Sequence, residues 1–273
     1  MNPVLRYLLS KTQGAKRFQG FFAQLHQIAL TGMNYGCGGG VETSGELGVI
    51  DLLSRHFANE CATVFDVGAN RGDYSFALRG RWQSRLQLYA FEPSANVYAQ
   101  LNARLTGNDI QLFPLGFSDA PGTRIIFAPR GLTVLGSVYR RRLEHFGLDQ
   151  EPQGEITLDT IDAFCMAHGI NRIHFLKLDI EGHEFAALRG AQRMLAERRI
   201  DCIQFEFGGC NIDARVFWQD LFYLLNDDFQ LFRVLRDGLQ RIAQYEEQHE
   251  IFLTTNFLAV RRDTQLALHR GLL

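Results

Sequence analysis

The feature that most constrains the fold of this 273-residue chain is a regular alternation of short apolar runs with helix-like segments, which begins near residue 45. The apolar runs predict strands at 63–67, 86–91, 110–115, 173–178 and 200–207, and the segments after them predict helices near 73–78, 94–105, 183–196 and 213–225. Strands that alternate with helices of this length are joined by right-handed crossovers, which produce a mostly parallel sheet. We therefore expect an α/β fold with a doubly wound sheet.

Two later segments depart from this alternation. The tail has apolar runs at 229–234, 239–245 and 257–260, which predict strands and hairpins. Residues 120–157 form an insertion with one predicted strand, Arg124 to Phe127, and the basic triplet Arg140 to Arg142. We interpret this triplet first as part of a solvated helix face. The alternative is that it binds a phosphate or carboxylate of a substrate.

The first 43 residues are predicted to form a helical extension that ends in the Gly-rich linker Gly36 to Gly40, so that the main domain spans 44–273. The apolar residues of the extension recur at helical spacing, at Leu5, Leu8, Leu9, Phe18, Phe21, Phe22, Leu25 and Ile28. We expect this apolar face to pack against the main domain. Contact with a membrane surface or with a partner is the alternative.

Composition excludes several classes of protein. The 28 basic and 30 acidic residues give a net charge of −2, which offers no general attraction for nucleic acid. The longest apolar runs have about five residues, far short of the roughly 20 that a membrane-spanning helix needs. Five cysteines without a CxxC pair predict a reduced compartment, so we expect a cytoplasmic protein. The oligomeric state cannot be predicted from these features.

A glycine-containing turn follows the first predicted strand, in Val64-Phe-Asp-Val-Gly-Ala-Asn-Arg-Gly72. Gly68 and Gly72 permit a tight turn and the close approach of a ligand. The second glycine of a dinucleotide-binding turn is replaced by Asn70, and Asp66 and Asp73 would repel a pyrophosphate. The turn therefore suits a ligand with a neutral or cationic group.

Acidic residues stand at the carboxyl ends of the predicted strands, where parallel α/β sheets bind their ligands. They are Asp66, Glu92, Asp119 (after Ser118), Asp179 with Glu181, and Glu206. Glu92 is placed to accept hydrogen bonds from both hydroxyls of a ribose. Asp119 is placed to accept one from the amine of an adenine, although a turn residue is the alternative there.

Five segments of the chain resemble the FkbM family of S-adenosylmethionine-dependent methyltransferases. They are Phe65–Ser75, Phe91–Ser94, Gly116–Asp119, Thr157–Asp159 and Phe175–Glu184, and the similarity covers Ser44 to Phe207. The resemblance implies a Rossmann-like class I methyltransferase fold and methyl transfer to an oxygen of a sugar, glycan or secondary metabolite. It further implies that Asp66, Gly68 and Asn70 line the methionine and ribose region of the cofactor. Glu92 would hold the ribose, Ser118 and Asp119 would lie at the adenine, and Glu46 would lie near the amino-acid end.

Methyl transfer to a hydroxyl also needs a group that accepts the proton. Asp179 is the predicted base, with Glu181 and His183 completing the predicted catalytic group, whereas orienting and capping the next helix is the alternative role. Mg²⁺ bound by Asp179, Glu181 and Glu206 is an alternative means of acidifying the hydroxyl. Two other functions stay open, namely a Rossmann-type NAD or nucleotide-sugar enzyme and a non-catalytic binding module with a methyltransferase fold.

Overall fold

The computed structural model describes residues 3–82, 85–105, 110–264 and 266, and its centre is a mostly parallel sheet. In chain order its strands are β1 Ala62–Val67, β2 Leu86–Phe91, β3 Ile110–Phe113, β7 Ile173–Leu178, β8 Ile200–Phe207, β9 Phe229–Leu235, β10 Gly238–Ile242 and β11 Thr255–Arg261. Within the described residues they are ordered β10-β9-β11-β8-β7-β1-β2-β3. The strands β3, β2, β1, β7 and β8 pair in parallel, and β11 joins β8 antiparallel. The doubly wound fold is confirmed.

In the sheet, β2 and β3 lie on one side of β1, and β7 and β8 lie on the other. This change of direction opens a crevice at the carboxyl ends of β1 and β7. Every residue of β1 and β7 is buried, because helices cover the sheet on both faces. The helices are α1 Pro3–Thr12, α2 Gln19–Gly32, α3 Glu46–His56, α4 Asp73–Trp82, α5 Ala95–Arg104, α6 Ile161–Ala167, α7 Glu184–Arg189, α8 Gln192–Ala196, α9 Cys210–Ala214 and α10 Trp218–Leu225.

Two hydrophobic clusters hold these layers together. On one face, side chains of α3, α4 and α5 such as Ile50 and Leu78 pack on Val64. On the other face, side chains of α6, α7, α8 and α10 such as Phe164 and Trp218 are part of the cluster around β1, β7 and β8. Both clusters are centred on the strands that carry the predicted site, so the crevice has a rigid base.

The predicted strands of the sheet are confirmed closely, whereas several helix boundaries were wrong. The predicted helix 183–196 is two helices, because it is broken at Gly190. A Cβ atom on Gly190 would lie 2.0 Å from the backbone oxygen of Ser118, so the chain turns there to pass close to the backbone of Ser118. The predicted helix 213–225 is likewise divided into α9 and α10, and the third strand ends at Phe113 rather than Leu115.

The insertion forms a second, three-stranded sheet that sequence analysis predicted only in part. Its strands are β4 Gly116–Phe117, β5 Gly122–Pro129 and β6 Gln150–Asp159, in the order β4-β6-β5. The single predicted strand lies inside β5. The triplet Arg140 to Arg142 lies in a loop between β5 and β6 and not on a helix, so its interpretation as a solvated helix face was wrong.

The N-terminal extension contains α1 and α2, but α2 does not bury its apolar face against the main domain as expected. Phe21, Leu25 and Ile28 are 59%, 49% and 68% exposed, and Leu30 is buried. The side chains of Leu5 and Leu8 lie outside the described residues. Among the residues that are described, no helix combines the length and the apolar character that crossing a bilayer requires.

Candidate functional site

Two adjoining spaces open at the carboxyl ends of the central strands. One, here called the inner cavity, is walled by the end of β2 and by the small sheet, including β4. The other, here called the outer cleft, is wider, opens to solvent and is lined by residues of the extension, α3, β7 and β8. Gly68, Asn70, Asp179 and Glu181 line both spaces. The predicted glycine turn and the predicted catalytic loop therefore form their common boundary.

The glycine turn is fixed from below by the neighbouring strand and from the side by the loop after β7. The backbone N–H groups of Gly68 and Ala69 donate to the carbonyl oxygen of Phe91. Gly68 has a φ of +83°, and a Cβ atom there would lie 1.9 Å from the backbone oxygen of Asp179. Only glycine fits this position, because it tolerates both the positive φ and the contact.

Glu92 lies at the end of β2 in the inner cavity, as predicted from the sequence. Its Oε2 accepts a hydrogen bond from the N–H of Asn70 at 3.0 Å, and its Oε1 accepts one from the N–H of Ser94 at 2.9 Å. Burial raises the pKa of Glu92 to about 7, although these two hydrogen bonds lower it. Each carboxylate oxygen can accept a further bond, so the fixed carboxylate can hold a ligand hydroxyl. Ser94 precedes α5, but its side chain makes no capping bond there.

Asp66 stands at the end of β1 but is fully buried beneath the turn. Its Oδ2 accepts a 2.6 Å hydrogen bond from Ser75, and its Oδ1 lies 3.5 Å from Nζ of Lys177. The carboxylate does not line either space. In this structure Asp66 supports the site from below instead of facing a ligand.

The loop from Asp179 to His183 is held in an unusual conformation by a buried carboxylate. Glu184 is fully buried and accepts hydrogen bonds from the N–H groups of Ile180, at 2.9 Å, and Gly182, at 3.3 Å. Burial raises its pKa to about 7. Glu181 has a backbone φ of +53°, a value that residues other than glycine rarely adopt. This conformation places Glu181 at the boundary of the two spaces.

Asp179 and Glu181 each face a cation. Nζ of Lys177 is 3.0 Å from Oδ2 of Asp179, and the guanidinium of Arg141 pairs with Glu181. Burial lowers the pKa of Lys177, but the carboxylates of Asp179, Asp66 and Glu46 outweigh it and raise that pKa above its usual value. Burial raises the pKa of Glu181 to about 8 even though Arg141 lowers it. Asp179 itself is 39% exposed at its side chain and so is accessible to a ligand.

Sequence analysis missed Lys177 and Arg141 as members of the site. Lys177 is one of three lysines in the chain and stands inside a fully buried strand, which was a usable signal. Arg141 belongs to the basic triplet, and its side chain is only 10% exposed. The alternative interpretation of the triplet, a grip on a substrate phosphate or carboxylate, stays a prediction, because Arg141 pairs here with Glu181 of the protein itself.

Glu46 lies at the start of α3 on the wall of the outer cleft. Its Oε2 accepts a 2.8 Å bond from the Ser44 hydroxyl, and its Oε1 accepts a 2.7 Å bond from Nε2 of Gln204. Burial raises its pKa to about 7. The Tyr74 hydroxyl donates to Oε1 of the same Gln204, and the Tyr74 ring lies beneath Nζ of Lys177 at 4.6 Å. A continuous polar network therefore connects Glu46 to Lys177.

Ser118, Asp119 and His183 are brought together at the far side of the loop. Nε2 of His183 lies 3.0 Å from the Ser118 hydroxyl, which lies 3.2 Å from Oδ1 of Asp119. Nδ1 of His183 lies 2.9 Å from the Tyr139 hydroxyl. Burial lowers the pKa of His183 to about 4, so the imidazole is neutral near pH 7. His183 and Phe117 line the inner cavity, whereas Ser118 and Asp119, the next two residues in the chain after Phe117, do not.

A group of possible metal ligands lies in the outer cleft, where ligand atoms of Glu181, Glu206 and Cys210 are within 4.8 Å of one another. Mg²⁺ prefers an octahedron of hard oxygen ligands, and a thiol does not suit it. The guanidinium of Arg141 already occupies one side of Glu181. The predicted ligand Asp179 is not part of this group. The residues therefore do not fit the Mg²⁺ alternative.

Comparison with known proteins identifies a family whose sequences match most of this chain. The family described as Methyltransferase FkbM domain matches residues 66–247. The hexuronic acid methyltransferase AglP of Haloferax volcanii is 26% identical over 168 residues, which are 60% of this chain and 64% of the relative. The chain thus spans less than two thirds of the length of this curated relative.

Solved structures are similar at lower identity. A methyltransferase FkbM from Methylobacillus flagellatus is 20% identical, with a TM-score of 0.44, over 72% of this chain and 43% of its own. The magnesium protoporphyrin IX methyltransferase of Synechocystis, solved with bound SAM, is 15% identical, with a TM-score of 0.37, over 80% of each chain.

Proposed function

Because the chain belongs to the FkbM methyltransferase domain family, we propose that it transfers a methyl group from S-adenosylmethionine to a hydroxyl oxygen of a sugar, glycan or secondary metabolite. One observation carries this proposal. The inner cavity and the outer cleft meet at Gly68, Asn70, Asp179 and Glu181, so that a donor whose nucleoside part lies in the inner cavity would present its methyl group at this boundary to an acceptor in the outer cleft. A single-ligand binding module has no need of two such spaces.

The inner cavity fits the nucleoside part of the cofactor. Glu92 offers free lone pairs to ribose hydroxyls, and Oδ1 of Asn70 is buried without a hydrogen-bond partner among the described residues. Ser118 and Asp119, next to Phe117 of the cavity wall in the chain, are the proposed adenine contacts. Glu46, on the outer cleft, is the proposed contact for the amino-acid end. Bound S-adenosylmethionine would supply an electrophilic methyl group, and its positive charge suits these acidic surroundings.

Asp179 is the proposed base for the acceptor hydroxyl. It stands at the boundary of the two spaces, and Lys177 holds its carboxylate in place at 3.0 Å. Methyl transfer is an in-line displacement, so the rigid placement of both reactants supplies much of the acceleration. Glu181 and His183, proposed members of the catalytic group, position the acceptor and the loop. Glu184 fixes that loop through its two backbone bonds.

A polyhydroxylated acceptor agrees with the polar lining of the outer cleft. Glu181, Glu206 and Arg141 present hydrogen-bonding groups there, which sugar hydroxyls can satisfy. The name of the relative from Haloferax volcanii, a hexuronic acid methyltransferase, also supports a sugar. Because the cleft does not fit Mg²⁺, we expect turnover to be unchanged by EDTA.

Calorimetry with S-adenosylhomocysteine and NAD, for the parent protein and two variants, tests the cofactor. Glu92→Ala removes charge-assisted hydrogen bonds and should weaken S-adenosylhomocysteine binding about 10- to 150-fold. Glu151→Ala, at an exposed position of β6, is the control and should bind normally. Tighter binding of NAD, or normal affinity of Glu92→Ala, would contradict the proposal. Incubation with labelled S-adenosylmethionine and candidate glycans then tests transfer itself.

A further inference from the structure

The N-terminal extension displays apolar side chains that nothing in the described structure covers. Phe21, Leu25 and Ile28 are spaced by four and three residues, so they lie on one face of α2, and each is about half exposed or more. Tyr7, on α1, is 65% exposed. A contiguous exposed apolar face on a helix is typical of an interaction surface.

Charge on the same segment is strongly one-sided. Residues 1–41 contain Arg6, Lys11, Lys16 and Arg17 but no aspartate or glutamate. The rest of the chain has 24 basic against 30 acidic residues, so the extension is basic and the remainder is acidic. No ion pair with a carboxylate is formed by Lys11, Lys16 or Arg17 within the described parts of the chain. Lys11 and Arg17 instead lie over the rings of Tyr7 and Phe18.

From these two observations we infer that the extension docks on an anionic lipid surface. A helix whose apolar face is flanked by basic residues lies in the membrane interface, with its apolar side chains among the acyl chains and its cations at the head groups. Phe21, Leu25 and Ile28 would enter the acyl region. Lys11, Lys16 and Arg17, between the two helices and at their ends, would reach the phosphates.

The two features together favour lipid over the other occupants. Nucleic acid would engage the cations but leave the apolar face of α2 exposed to water. A second copy that paired through the same face would bring four cations against four, which is unfavourable. An anionic bilayer satisfies both the apolar side chains and the cations.

The extension is tied to the main domain, so docking would orient the whole protein. Nδ2 of Asn34 donates to the carbonyl oxygen of Val234, and the guanidinium of Arg233 lies 4.1 Å from the centre of the Tyr35 ring. The N–H of Gly38 donates to the carbonyl oxygen of Thr254. The next residues, 38–43, line the outer cleft. The membrane-binding face is therefore connected to the cleft by a short, anchored segment.

Co-sedimentation of the full chain with vesicles tests this inference, and it requires no methyl transfer. The protein should bind vesicles of phosphatidylcholine mixed with phosphatidylserine, bind less at high salt, and bind phosphatidylcholine alone weakly. Lys16→Glu with Arg17→Glu should lower the partition coefficient at least about 25-fold, from about fivefold for each cation near an anionic surface. Arg130→Glu with Arg236→Glu, at exposed positions outside the extension, is the matched control.

The apolar contribution is tested separately. Phe21→Ser with Ile28→Ser should reduce binding, whereas Met166→Ser, at a position that is 68% exposed on α6, should not. All these positions are exposed, so thermal melts should show folded proteins. The inference fails if the protein ignores phosphatidylserine, or if the variants bind as well as the parent. It also fails if light scattering shows a dimer that Phe21→Ser with Ile28→Ser converts to a monomer.

Discussion

At the scale of single residues, the surroundings of Asp179 favour chemistry over a purely structural role. Its carboxylate accepts a hydrogen bond from Lys177, and Asp179 lines both the inner cavity and the outer cleft. Among the described residues, no helix-capping hydrogen bond to this carboxylate is seen. The helix-capping alternative is met by another residue, because Glu184 accepts the loop N–H groups. Glu184 therefore fills the structural role in the loop, which leaves Asp179 available for its proposed role as the base.

Asp179→Asn should lower kcat about 10²- to 10⁴-fold, because a positioned base typically contributes that factor. Its stability and its affinity for S-adenosylhomocysteine should change little, since the amide is nearly isosteric and Glu92 is untouched. Single-turnover rates, thermal melts and titration on this variant are the measurements, with Asp149→Asn at an exposed position as the control. A folded Asp179→Asn protein with near-normal turnover would rule out the role of a base.

Glu46 gives a prediction about pH. Burial raises its pKa in the folded state from 4.5 to about 7, so between these values the folded protein binds a proton that the unfolded chain releases. Stability from this group is therefore complete below about pH 4.5 and is lost as the pH rises through 7. Glu46→Gln avoids this loss, because an amide can accept from Gln204 and donate to the Ser44 hydroxyl.

Relative to the parent, Glu46→Gln should gain stability as the pH rises from 5 to 8, by at most about 3 kcal/mol. Urea unfolding at several pH values measures the difference. Glu155→Gln, exposed on β6, should follow the parent at every pH. If the unfolding free energies of Glu46→Gln and the parent change in parallel with pH, the pKa of Glu46 is not raised in the folded protein.

At the scale of elements, the turn after β1 and the loop after β7 are interlocked. Gly68→Ala would place a methyl group 1.9 Å from the Asp179 backbone oxygen in a left-handed conformation, so we expect a loss of stability of about 3 kcal/mol or more, together with loss of cofactor binding. Gly80→Ala, inside α4 with open space around it, should instead stabilise by up to about 1 kcal/mol. Denaturant melts compare the two. Equal effects would show that the turn and loop move independently.

How well each element could be predicted depended on its burial. β1, β2, β7 and β8 are buried in their centres, and continuous apolar runs identify such strands. β6 was missed because it is mostly exposed and contains Glu151, Pro152 and Gly154, which do not resemble a strand in isolation. β6 is extended because it pairs with β5, and this pairing cannot be read from the sequence of β6 alone.

The candidate site was predictable where it lay at the ends of those strands. Glu92, Asp179 and Glu181 follow strands directly, so their convergence follows from the topology. Arg141 could not be placed, because its approach to Glu181 depends on a loop of the missed hairpin. The position of Asp66 follows from its partners Ser75 and Lys177, which the spacing of acids did not reveal.

At the scale of the whole molecule, both hydrophobic clusters pack on strands that border the inner cavity, so ligand binding should be coupled to global stability. At a concentration 100 times its dissociation constant, S-adenosylhomocysteine should stabilise the folded state by about 2.7 kcal/mol. For a domain of this size that shifts the melting temperature by roughly 5–10 °C. Differential scanning calorimetry measures the shift. NAD at equal concentration should leave the melting temperature unchanged.

The small sheet and its loop form one continuous stretch of chain, residues 116–159, that serves both spaces. Ile126 and Leu158 wall the inner cavity, while Arg141 from the same stretch enters the outer cleft. A chimaera that exchanged residues 116–159 with those of a relative would change walls of the proposed donor space and a contact in the proposed acceptor space in a single step. We therefore expect that a change of substrate range made in this way would also change donor affinity.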